Sequence, residues 1–549
     1  MNNYTLKIKK ENSSLFVVSE ETAQKLKIEF LKDTLIKFGL GSAEITIVIS
    51  KSLPDNEIYI SENIINKLNI PTICTYNITV NNNQIIVGPF IGIIMGEKKK
   101  QLYNNVRILN NYVKKYKKIN GAIFGFTVDG INKYDLQITG LLYNPQKKFW
   151  ETKKLPFPGS IIKRRLITQE WREYLNYFYP DGIYNYKPLD KWQVYKRLIQ
   201  FKELSDFLPP TDLVNKFSDI TDFLLQHKNI YLKPSNGNRG IGIYNIIQYK
   251  DKVTVQSRGK DTNHIWEFDS HEELVNFLEE NLKKEQYIIQ KTLNLKVDNK
   301  SIDFRVGLDK DQTGNWKRNM FVARISGENS IVSNVARSEG TVKYPLEALC
   351  DLYNFSPSVA KDFEQKLKDL GAKVGRAIDD TGLHFGKLAL DIAIDNESKL
   401  WIIEVNNKSP NDTIMRLLGD KDKFYQIRLT NMLYAKKLSG FEIHTNENFL
   451  NFNLKEEQDL NLNQKIESKI YISIPGKQKK FKDYINELDK VYDLSIKFIE
   501  PIKKRRIVIV KVEGVKETFY KFIEEINKGM YKNNIKGIAL KDMKVLSNE

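Results

Sequence analysis

The stretch Leu388–Asn406, LALDIAIDNESKLWIIEVN, decides the expected fold. Two apolar runs flank a polar turn at Asp395–Lys399, and this pattern is typical of a β-hairpin. Asp391 is an acid within the first strand, and alternation puts Glu404 and Asn406 on one side of the second strand. If the hairpin is symmetric about its turn, we expect Asp391 to lie directly opposite Glu404. The sequence therefore predicts two carboxylates that face each other inside apolar strands.

Such a pair of carboxylates is unfavourable without a partner of opposite charge. Like charges directly opposite across strands repel, and burial among apolar residues increases the penalty. A divalent cation would relieve both effects. The oxygens of Asp391, Glu404 and Asn406 suit Mg²⁺ or Mn²⁺, with phosphate and water completing the coordination shell. The alternative is that both acids face solvent on an edge hairpin, but the apolar flanks favour the metal site.

A glycine-rich loop follows a strand that contains a lysine. The segment Ile230–Gly242, IYLKPSNGNRGIG, has Lys233 in the strand and three glycines in the loop, and a second strand follows. Glycines let backbone N–H groups approach an anion. The loop lacks the lysine motif of a P-loop and the helix that follows a Rossmann fingerprint. It therefore predicts a flap over a nucleotide triphosphate, and a plain hairpin turn is the alternative.

Two arginines within alternating strands form a third pattern. Arg305 lies in the string DFRV, and Arg324 lies in the string NMFVARIS. An arginine in such a strand binds a phosphate or pairs with a carboxylate. The residues alone leave both roles open.

The composition excludes several classes of protein. The 549 residues are 41% hydrophobic and 28% charged, which is typical of globular domains rather than of a disordered chain. No apolar run is long enough for a membrane-spanning helix, and the amino terminus lacks the pattern of a secretory signal. Two cysteines and five histidines argue against a disulfide framework and a zinc site. The net charge of +18 favours anionic partners.

Changes of pattern along the chain predict an α+β multidomain protein. Short strands separated by turns open the chain, alternating strands and helices follow, and the motifs above occupy the middle. The last segment has the order βαββαβ and an excess of basic residues, which predicts a ferredoxin-like domain. The predicted boundaries are 1–88 for a small β-rich domain, 89–188 for an α/β domain, 189–445 for the domain with the motifs (a nucleotide-binding lobe near 210–290 and a metal-binding lobe near 291–440), 446–465 for a linker and 466–549 for the ferredoxin-like domain.

In this order, the motifs resemble the ATP-grasp superfamily and, within it, the YheC/YheD group of endospore coat-associated proteins. The resemblance extends over residues 88–440 and is weaker in the leading β-rich domain. It implies a core of two α+β lobes that grasp ATP, with Mg²⁺ or Mn²⁺ as the metal. It also implies that a carboxylate and ATP form an acyl phosphate, which an amine or another nucleophile then attacks.

The resemblance implies a role for individual residues. The implied metal ligands are Asp391, Glu404 and Asn406, and the implied catalytic cations are Arg305, Arg324 and Lys233. The implied ATP contacts are Lys191 at the start of a helix, Lys233, Ser235, Asn236, Gly237, Arg239, Gly240, Gly242, Gln290, Lys291 and Leu293. The implied acceptor or carboxylate contacts are Lys408 and Ser409. Two departures stand out: Gln290 and Lys291 replace the usual hinge Glu, and Lys408 stands where several amide-forming members have Arg.

The combined expectation is an ATP- and Mg²⁺-dependent carboxylate–amine or carboxylate–thiol ligase, cytoplasmic or associated with the spore. Its substrates would be a carboxylate and an amine acceptor, with ligation of an amino acid to a peptide or protein favoured and no membrane partner. Two alternatives stay open. One is a spore-coat scaffold that keeps the ATP-grasp fold without turnover. The less favoured one is nucleic-acid binding through the basic carboxy-terminal segment, with Tyr471 and Phe498 as candidate stacking residues.

Overall fold

The structure, a computed structural model, describes residues 2–29, 31, 34–237, 241–250, 252–258, 263–282, 285–327, 340–441, 465–473, 478–492, 494–502, 507–528 and 537–545. The chain divides into two units. The first comprises Met1–Tyr184, Asp311–Gly314 and Arg428–Glu549, and the second comprises Asn185–Lys310 and Asn315–Ile427. The predicted linker at 446–465 lies outside the described residues except for residue 465, which begins a strand.

A closed barrel of short strands begins the first unit and agrees with the β-rich pattern of the sequence. Closure pairs every strand on both sides, so that no sheet edge is exposed. Two short helices, α1 (Glu20–Leu26) and α2 (Glu62–Leu68), accompany the barrel. Its strands are β1 (Tyr4–Lys9), β2 (Leu15–Ser19), β3 (Thr34–Phe38), β4 (Gly41–Ser50), β5 (Glu57–Ser61), β6 (Thr75–Asn81) and β7 (Gln84–Gly88), in the order β1-β5-β2-β4-β3-β7-β6.

An eleven-stranded sheet completes the first unit. Its amino-terminal strands are β8 (Phe90–Ile94), β9 (Ala122–Phe126), β10 (Ile131–Asn132), β11 (Gln137–Asn144), β12 (Phe149–Pro156), β13 (Ser160–Lys163) and β14 (Ile183–Tyr184). The helices that accompany them are α3 (Lys99–Asn104), α4 (Val106–Val113), α5 (Gln169–Phe178) and α12 (Lys421–Leu438), with 3₁₀ turns at Tyr116–Lys118 and Val128–Gly130. A core that includes Ile91, Leu109, Trp150 and Met432 joins this sheet to α4 and α12.

The carboxy-terminal elements extend the same sheet. They follow in the predicted order, β27 (Lys465–Ser473), α13 (Gln478–Tyr492), β28 (Ser495–Ile502), β29 (Ile507–Val515), α14 (Lys516–Lys528) and β30 (Gly537–Val545). The whole sheet runs β14-β13-β8-β9-β11-β12-β30-β27-β29-β28, with β10 paired to β11. Strand β30 pairs in parallel with β12, with Ala539 beside Trp150. The carboxy-terminal strands therefore do not form a sheet of their own, although the sequence predicts a separate domain there.

The second unit contains two sheets, and the first of them carries the predicted nucleotide lysine. Its core includes Ile230, Leu232, Val255 and Leu274. The strands are β15 (Thr211–Leu213), β16 (Asn229–Pro234), β17 (Tyr244–Tyr249), β18 (Lys252–Arg258), β19 (Asn263–Phe268) and β20 (Tyr287–Lys291), in the order β15-β20-β16-β17-β18-β19. Helices α8 (Phe217–His227) and α9 (His271–Asn281) pack on this sheet, whereas α6 (Lys191–Leu198) and α7 (Lys202–Ser205) pack into the core of the other sheet.

The second sheet of this unit carries the acids and arginines. Its strands are β21 (Lys296–Val297), β22 (Lys300–Lys310), β23 (Trp316–Ile325), β24 (Thr341–Lys343), β25 (Lys387–Ile394) and β26 (Leu400–Asn406), in the order β24-β23-β22-β25-β26 with β21 paired to β22. Helices α10 (Pro345–Tyr353) and α11 (Pro357–Asp379) accompany it, and a 3₁₀ helix spans Asp412–Arg416. A Cβ at Gly371 of α11 would lie 2.9 Å from Val306 of β22, so glycine there lets helix and sheet pack closely.

Candidate active site

Strands β25 and β26 form the predicted hairpin, and Asp391 pairs directly with Glu404. Near the turn, Ile394 pairs with Leu400 and Ile392 with Ile402. If that register continued, Asp391 would lie opposite the residue before Glu404. A β-bulge between Asp391 and Ile392 shifts the register by one residue and brings the two acids together. The predicted pairing is therefore confirmed, but the bulge rather than a symmetric turn produces it.

Two arginines neutralise Asp391. Arg305 pairs with Asp391 across β22 and β25, and its Nε and Nη2 donate to the two carboxylate oxygens, each at 2.8 Å. Arg324 Nη2 lies 2.9 Å from Asp391 Oδ2. Burial alone would raise the pKa of Asp391, but the two guanidinium groups outweigh it and lower that pKa to about 2.

A second carboxylate completes this network. Asp303 lies beside Arg324 in the register of β22 and β23 and accepts bonds from its Nε and Nη2 at 2.5 and 2.7 Å. Burial would lower the pKa of Arg324, but Asp303 and Asp391 raise it overall. The charge of Asp391, which the sequence assigned to a bound cation, is already balanced by these arginines, and the role of Asp391 as a metal ligand stays a prediction. Both arginines are thus ion-paired within the protein, one of the two roles left open above.

Glu404 is the more accessible acid of the pair. Its side chain is 38% exposed, and Lys191 Nζ lies 3.8 Å from its Oε1. Among the described residues, Glu404 has no second hydrogen-bond or ion-pair partner. Lys191 begins α6, as predicted, and Asp190 caps that helix by accepting from the backbone of Gln193. Burial lowers the pKa of Lys191, and the charge of Glu404 partly opposes this effect.

Lys233 lies on β16 at the end of a short hydrogen-bonded chain. Its Nζ donates to Gln290 Oε1 at 2.6 Å, and Gln290 Nε2 donates to Thr211 Oγ1 at 2.8 Å. Burial lowers the pKa of Lys233 to about 8, although the charge of Glu404 acts in the opposite direction. An anionic ligand would therefore stabilise the protonated form of this amine.

The glycine loop connects two antiparallel strands, as predicted. Leu232 of β16 pairs with Tyr244 of β17. Ser235 O accepts a bond from the backbone N–H of Lys191, and Gly237 O accepts one from Lys191 Nζ at 2.6 Å. Asn236 and Gly242 also belong to the described part of this loop, whereas Arg239 and Gly240 lie outside the described residues. The loop is thus tied to the lysine that approaches Glu404.

In the predicted hinge, backbone groups are already paired with neighbouring strands. Gln290 lies within β20, between Thr211 of β15 and Tyr231 of β16. The backbone N–H of Lys291 donates to Pro210, and that of the next residue donates to Asn229. Of the three predicted hinge residues, only Leu293 lies beyond the strand, and its contact with adenine stays a prediction.

Buried amides, which sequence analysis missed, join the loop after β26 to the start of α6. Asn407 Oδ1 accepts from the backbone N–H of Leu189 at 2.9 Å, and its Nδ2 donates to Leu189 O at 3.1 Å. Asn185 Nδ2 donates to the carbonyls of Asn407 and Lys387 at 2.6 and 2.7 Å. These bonds fix the backbone on both sides of the acid pair. The two consecutive asparagines at 406 and 407 were the signal in the sequence that could have indicated this role. Only the first of them was assigned a function.

A buried ion cluster anchors the same loop from the other side. Lys387 Nζ lies 2.7 Å from both Asp309 Oδ1 and Asp412 Oδ1. Lys408 and Ser409 belong to the loop held between this cluster and β26. The charge of Lys408 contributes to the lowered pKa of Lys191, so the two lysines are near each other. The predicted acceptor residues therefore lie in the neighbourhood of the acid pair.

The oxygens of this site fit a hard divalent cation. Asn406 Nδ2 donates to Asp391 Oδ2 at 3.3 Å, and no described residue donates to its carbonyl oxygen. In the part of the chain that the structure describes, one oxygen of Glu404 has no partner. Carboxylate and amide oxygens suit Mg²⁺. No cluster of three His, Cys, Asp or Glu side chains is found in the described part of the chain, so an ion here would also need amide and substrate oxygens.

The sequence is similar to a known protein family and to known proteins. Residues 181–438 match the family described as YheC/D like ATP-grasp. Over these residues, the chain is similar to a YheC/D-like ATP-grasp domain. The predicted resemblance to the ATP-grasp superfamily and to its YheC/YheD group is thereby confirmed. Within the described residues, no helix is both long enough and apolar enough to cross a membrane.

Two proteins of Bacillus subtilis (strain 168) are similar in sequence to this chain. The endospore coat-associated protein YheD is 26% identical over 373 residues, which cover 64% of this chain and 80% of YheD. The endospore coat-associated protein YheC is 22% identical over 331 residues, which cover 56% of this chain and 86% of YheC.

Solved structures show weaker similarity. D-alanyl-alanine synthetase A from Vibrio cholerae has 10% identity and a TM-score of 0.38, covering 62% of this chain and 98% of that one. A RiPP-associated ATP-grasp ligase from Chryseobacterium gregarium has 16% identity and a TM-score of 0.34, covering 64% of this chain and 96% of that one. Similarities of this size carry no inference about activity.

Proposed function

We propose that the protein is an ATP- and Mg²⁺-dependent carboxylate–amine ligase. One observation carries the proposal: Glu404 has an oxygen without a partner among the described residues, beside Lys191 and opposite an Asp391 that two arginines hold in place. Asp391, Glu404 and Asn406 would hold the metal ion, with Mn²⁺ as a substitute for Mg²⁺. When bound, such an ion supplies positive charge to the phosphate oxygens.

The proposed chemistry depends on neutralising two anions. The attacking carboxylate and the γ-phosphate of ATP repel each other unless fixed positive charge lies nearby. The charge of Glu404 acts to raise the pKa of both Lys191 and Lys233, and both lysines are partly buried, so water screens their charges less than at the open surface. Arg305 and Arg324 bind Asp391 on the opposite strand. We propose that these four cationic side chains together reduce the repulsion between the phosphate and the carboxylate.

Two balanced steps follow from this proposal. A carboxylate oxygen attacks the γ-phosphorus, the bond to the β-phosphate oxygen breaks, and ADP leaves with that electron pair. The amine nitrogen then attacks the acyl carbon of the acyl phosphate, the carbon–oxygen bond to phosphate breaks, and the amine loses a proton. Neither step needs a nucleophilic side chain of the protein. The role of Ser235–Gly242 as a cover over the phosphates stays a prediction.

For the substrates, we propose an amino acid and a peptide or protein acceptor. The carboxy-terminal segment carries an excess of basic residues, which favours an anionic macromolecular partner over a small neutral one. The names of the relatives YheD and YheC favour an association with the spore, and we propose that ligation takes place in the cytoplasm before assembly there.

The test is release of ADP and phosphate when purified protein is given ATP, Mg²⁺ and candidate carboxylates and acceptors. Replacing Glu404→Gln should abolish release, because it removes a carboxylate ligand without changing side-chain size. The matched control is Glu397→Gln, the same change at an exposed position in the turn of the same hairpin, which should keep wild-type turnover. Full turnover by Glu404→Gln would show that the metal assignment is wrong.

A non-catalytic scaffold is the second candidate. It is favoured by the number of donors around Asp391, because Arg305, Arg324 and Asn406 already occupy its oxygens. A scaffold would bind ATP with Mg²⁺ and so unfold at a higher temperature, but it would release no phosphate with any acceptor. Mass spectrometry of a peptide incubated with the protein, ATP and an amino acid separates the two candidates, because only a ligase adds an amino acid with loss of water.

A further inference from the structure

Three side chains with polar atoms lie beside each other on neighbouring strands of the sheet that contains Lys233. Thr211 of β15 pairs with Gln290 of β20, and Gln290 pairs with Tyr231 of β16. Lys233 lies two residues after Tyr231 and therefore on the same face of the sheet. The opposite face, which includes Leu232, packs on α8 and α9. These polar groups thus share the face that does not carry the hydrophobic core.

A chain of hydrogen bonds crosses this face and ends at the amine of Lys233. Thr211 Oγ1 donates to Pro209 O at 2.8 Å. Gln290 Nε2 donates to Thr211 Oγ1 at 2.8 Å, and Lys233 Nζ donates to Gln290 Oε1 at 2.6 Å. Gln290 and Thr211 are only 8% and 9% exposed, so water competes little for these bonds.

The carbonyl at the far end of the chain fixes the orientation of the Gln290 amide. A carbonyl can only accept, so the single hydroxyl hydrogen of Thr211 is used on Pro209 O. The hydroxyl can then only accept from Gln290, which places the amide nitrogen on that side and the amide oxygen towards Lys233. The reverse orientation would direct two N–H groups at an ammonium group. Thr211 therefore determines which atom of Gln290 faces the lysine.

Gln290 orients the amine of Lys233 without neutralising it, because an amide oxygen carries no net charge. The ring of Tyr231, whose centroid lies 5.1 Å from Lys233 Nζ, is uncharged as well. The charged groups that act on this amine are Glu404, which raises its pKa, and Lys191, which lowers it. An ammonium group has three hydrogens, and Gln290 is its one hydrogen-bond acceptor in the part of the chain that the structure describes. Two hydrogens can therefore bind an anionic ligand.

We propose that Thr211 and Gln290 are positioning residues, which direct the amine of Lys233 towards a nucleotide phosphate and leave its charge for that phosphate. Neither residue touches the nucleotide itself. A lysine side chain has four rotatable bonds, so an amine that is already oriented loses less conformational entropy when the phosphate binds. The inference deepens the proposed function and rests on it for the identity of the anion.

A purely structural role is the alternative interpretation. Buried polar groups need partners wherever they lie, so the same bonds could serve the stability of the sheet alone. In that case, the loss caused by a change at Thr211 would be the same with or without the amine of Lys233. If Thr211 acts through the lysine, the effects of the two changes depend on each other.

The main experiment measures the affinity of the full-length protein for ADP by calorimetry in a double-mutant cycle. Thr211→Val keeps the shape of the side chain and removes its acceptor, so ADP affinity should fall about five- to tenfold. In a Lys233→Met background, the same change should have almost no further effect, because the amine that it positions is gone. Equal losses in both backgrounds would show a structural role and overturn the proposal.

Two control variants separate the hydroxyl from the substitution itself. Thr211→Ser keeps the hydroxyl and should keep an affinity near wild type, and a loss as large as that of Thr211→Val would contradict the proposal. Thr254→Val makes the same change on β18 of the same sheet, at a hydroxyl without a hydrogen-bond partner among the described residues. It should leave ADP affinity unchanged, and weakening equal to that of Thr211→Val would also count against the proposal.

A measurement without nucleotide tests the contact between Gln290 and Lys233. Gln290→Glu replaces the neutral acceptor with a carboxylate of the same size, so the pKa of Lys233 should rise from about 8 towards its usual value of 10.5. Nuclear magnetic resonance of ¹³C-labelled lysine follows this titration. An unchanged pKa, or an additive cycle with normal ADP binding, would overturn this inference alone. No binding of ADP by wild-type protein would overturn the proposed function together with it.

Discussion

The two facing carboxylates should respond in opposite ways to neutralisation. Asp391 is buried and accepts bonds from two arginines, whereas Glu404 is 38% exposed and lies 3.8 Å from one lysine. We predict that Asp391→Asn loses both stability and activity. We predict that Glu404→Gln loses activity but keeps wild-type stability. The isosteric changes remove charge without altering volume, so the comparison isolates electrostatics.

The magnitude for Asp391 comes from its surroundings. The fall of its pKa from 3.8 to about 2 corresponds to roughly 2 kcal/mol in favour of the charged form. Removing one partner of a buried ion pair costs about 3–5 kcal/mol, because Arg305 and Arg324 would then be left close together with Asp303 as their remaining acid. For Glu404, the partly exposed pair with Lys191 contributes about 0–1 kcal/mol.

Urea unfolding followed by tryptophan fluorescence measures the difference, since Trp401 lies near the start of β26, next to the hairpin turn. The midpoint for Asp391→Asn should fall well below wild type, and the midpoint for Glu404→Gln should coincide with that of the Glu397→Gln control. Wild-type stability of Asp391→Asn would refute the arginine network as the reason that the buried acid is tolerated. A large loss of stability in Glu404→Gln would refute the claim that Glu404 contributes to activity and not to stability.

Three further predictions concern groups around the acid pair. Lys233 has a lowered pKa of about 8 and attracts phosphate only when protonated, so nucleotide affinity measured by calorimetry should fall above pH 8, by up to about tenfold per pH unit. Lys233→Arg should flatten that profile, and an unchanged slope would contradict the role. Asn407→Ala should weaken nucleotide binding and lower stability by roughly 1–3 kcal/mol, since it leaves buried backbone groups unpaired; wild-type affinity would show that the amide frame does not position Lys191. Lys387→Met should lower the free energy of unfolding by about 3–5 kcal/mol, because Asp309 and Asp412 would lose their shared cation; a urea midpoint within error of wild type would count against it.

Stability against acid should follow the same network. Because the folded-state pKa of Asp391 is below its ordinary value of 3.8, this carboxylate contributes stability above about pH 4 and loses it as the pH falls toward 2.

Local patterns in the sequence were enough to predict the acid hairpin and the lysine strand. Alternation and turn chemistry are encoded within a few residues, so about twenty positions were enough to predict the hairpin, whereas the register that makes Asp391 face Glu404 depends on a bulge that these positions did not indicate. The same holds for the strand–loop–strand unit around Lys233, whereas the position of Lys191 at a helix start was implied by the family resemblance. Each of these features depends on neighbours along the chain.

Features that depend on distant partners were not predictable in this way. Arg305 and Asp391 are 86 positions apart, and Asn185 and Asn407 are 222 apart, so no local pattern indicates that they meet. The bulge beside Asp391 also lacks a glycine or proline that would mark it in the sequence. The pairing of β30 with β12 depends on which sheet edge is available in three dimensions. Sequence analysis therefore assigned the balancing charge to a metal alone and treated the last segment as separate.

The most direct test of the account is electron paramagnetic resonance of Mn²⁺ added to the protein with a non-hydrolysable ATP analogue. We predict that wild-type protein and Glu397→Gln bind the ion together with the nucleotide. We predict that Glu404→Gln keeps its fold but no longer broadens or reduces the free Mn²⁺ signal. Equal Mn²⁺ binding by Glu404→Gln and wild type would contradict the claim that this carboxylate holds the metal.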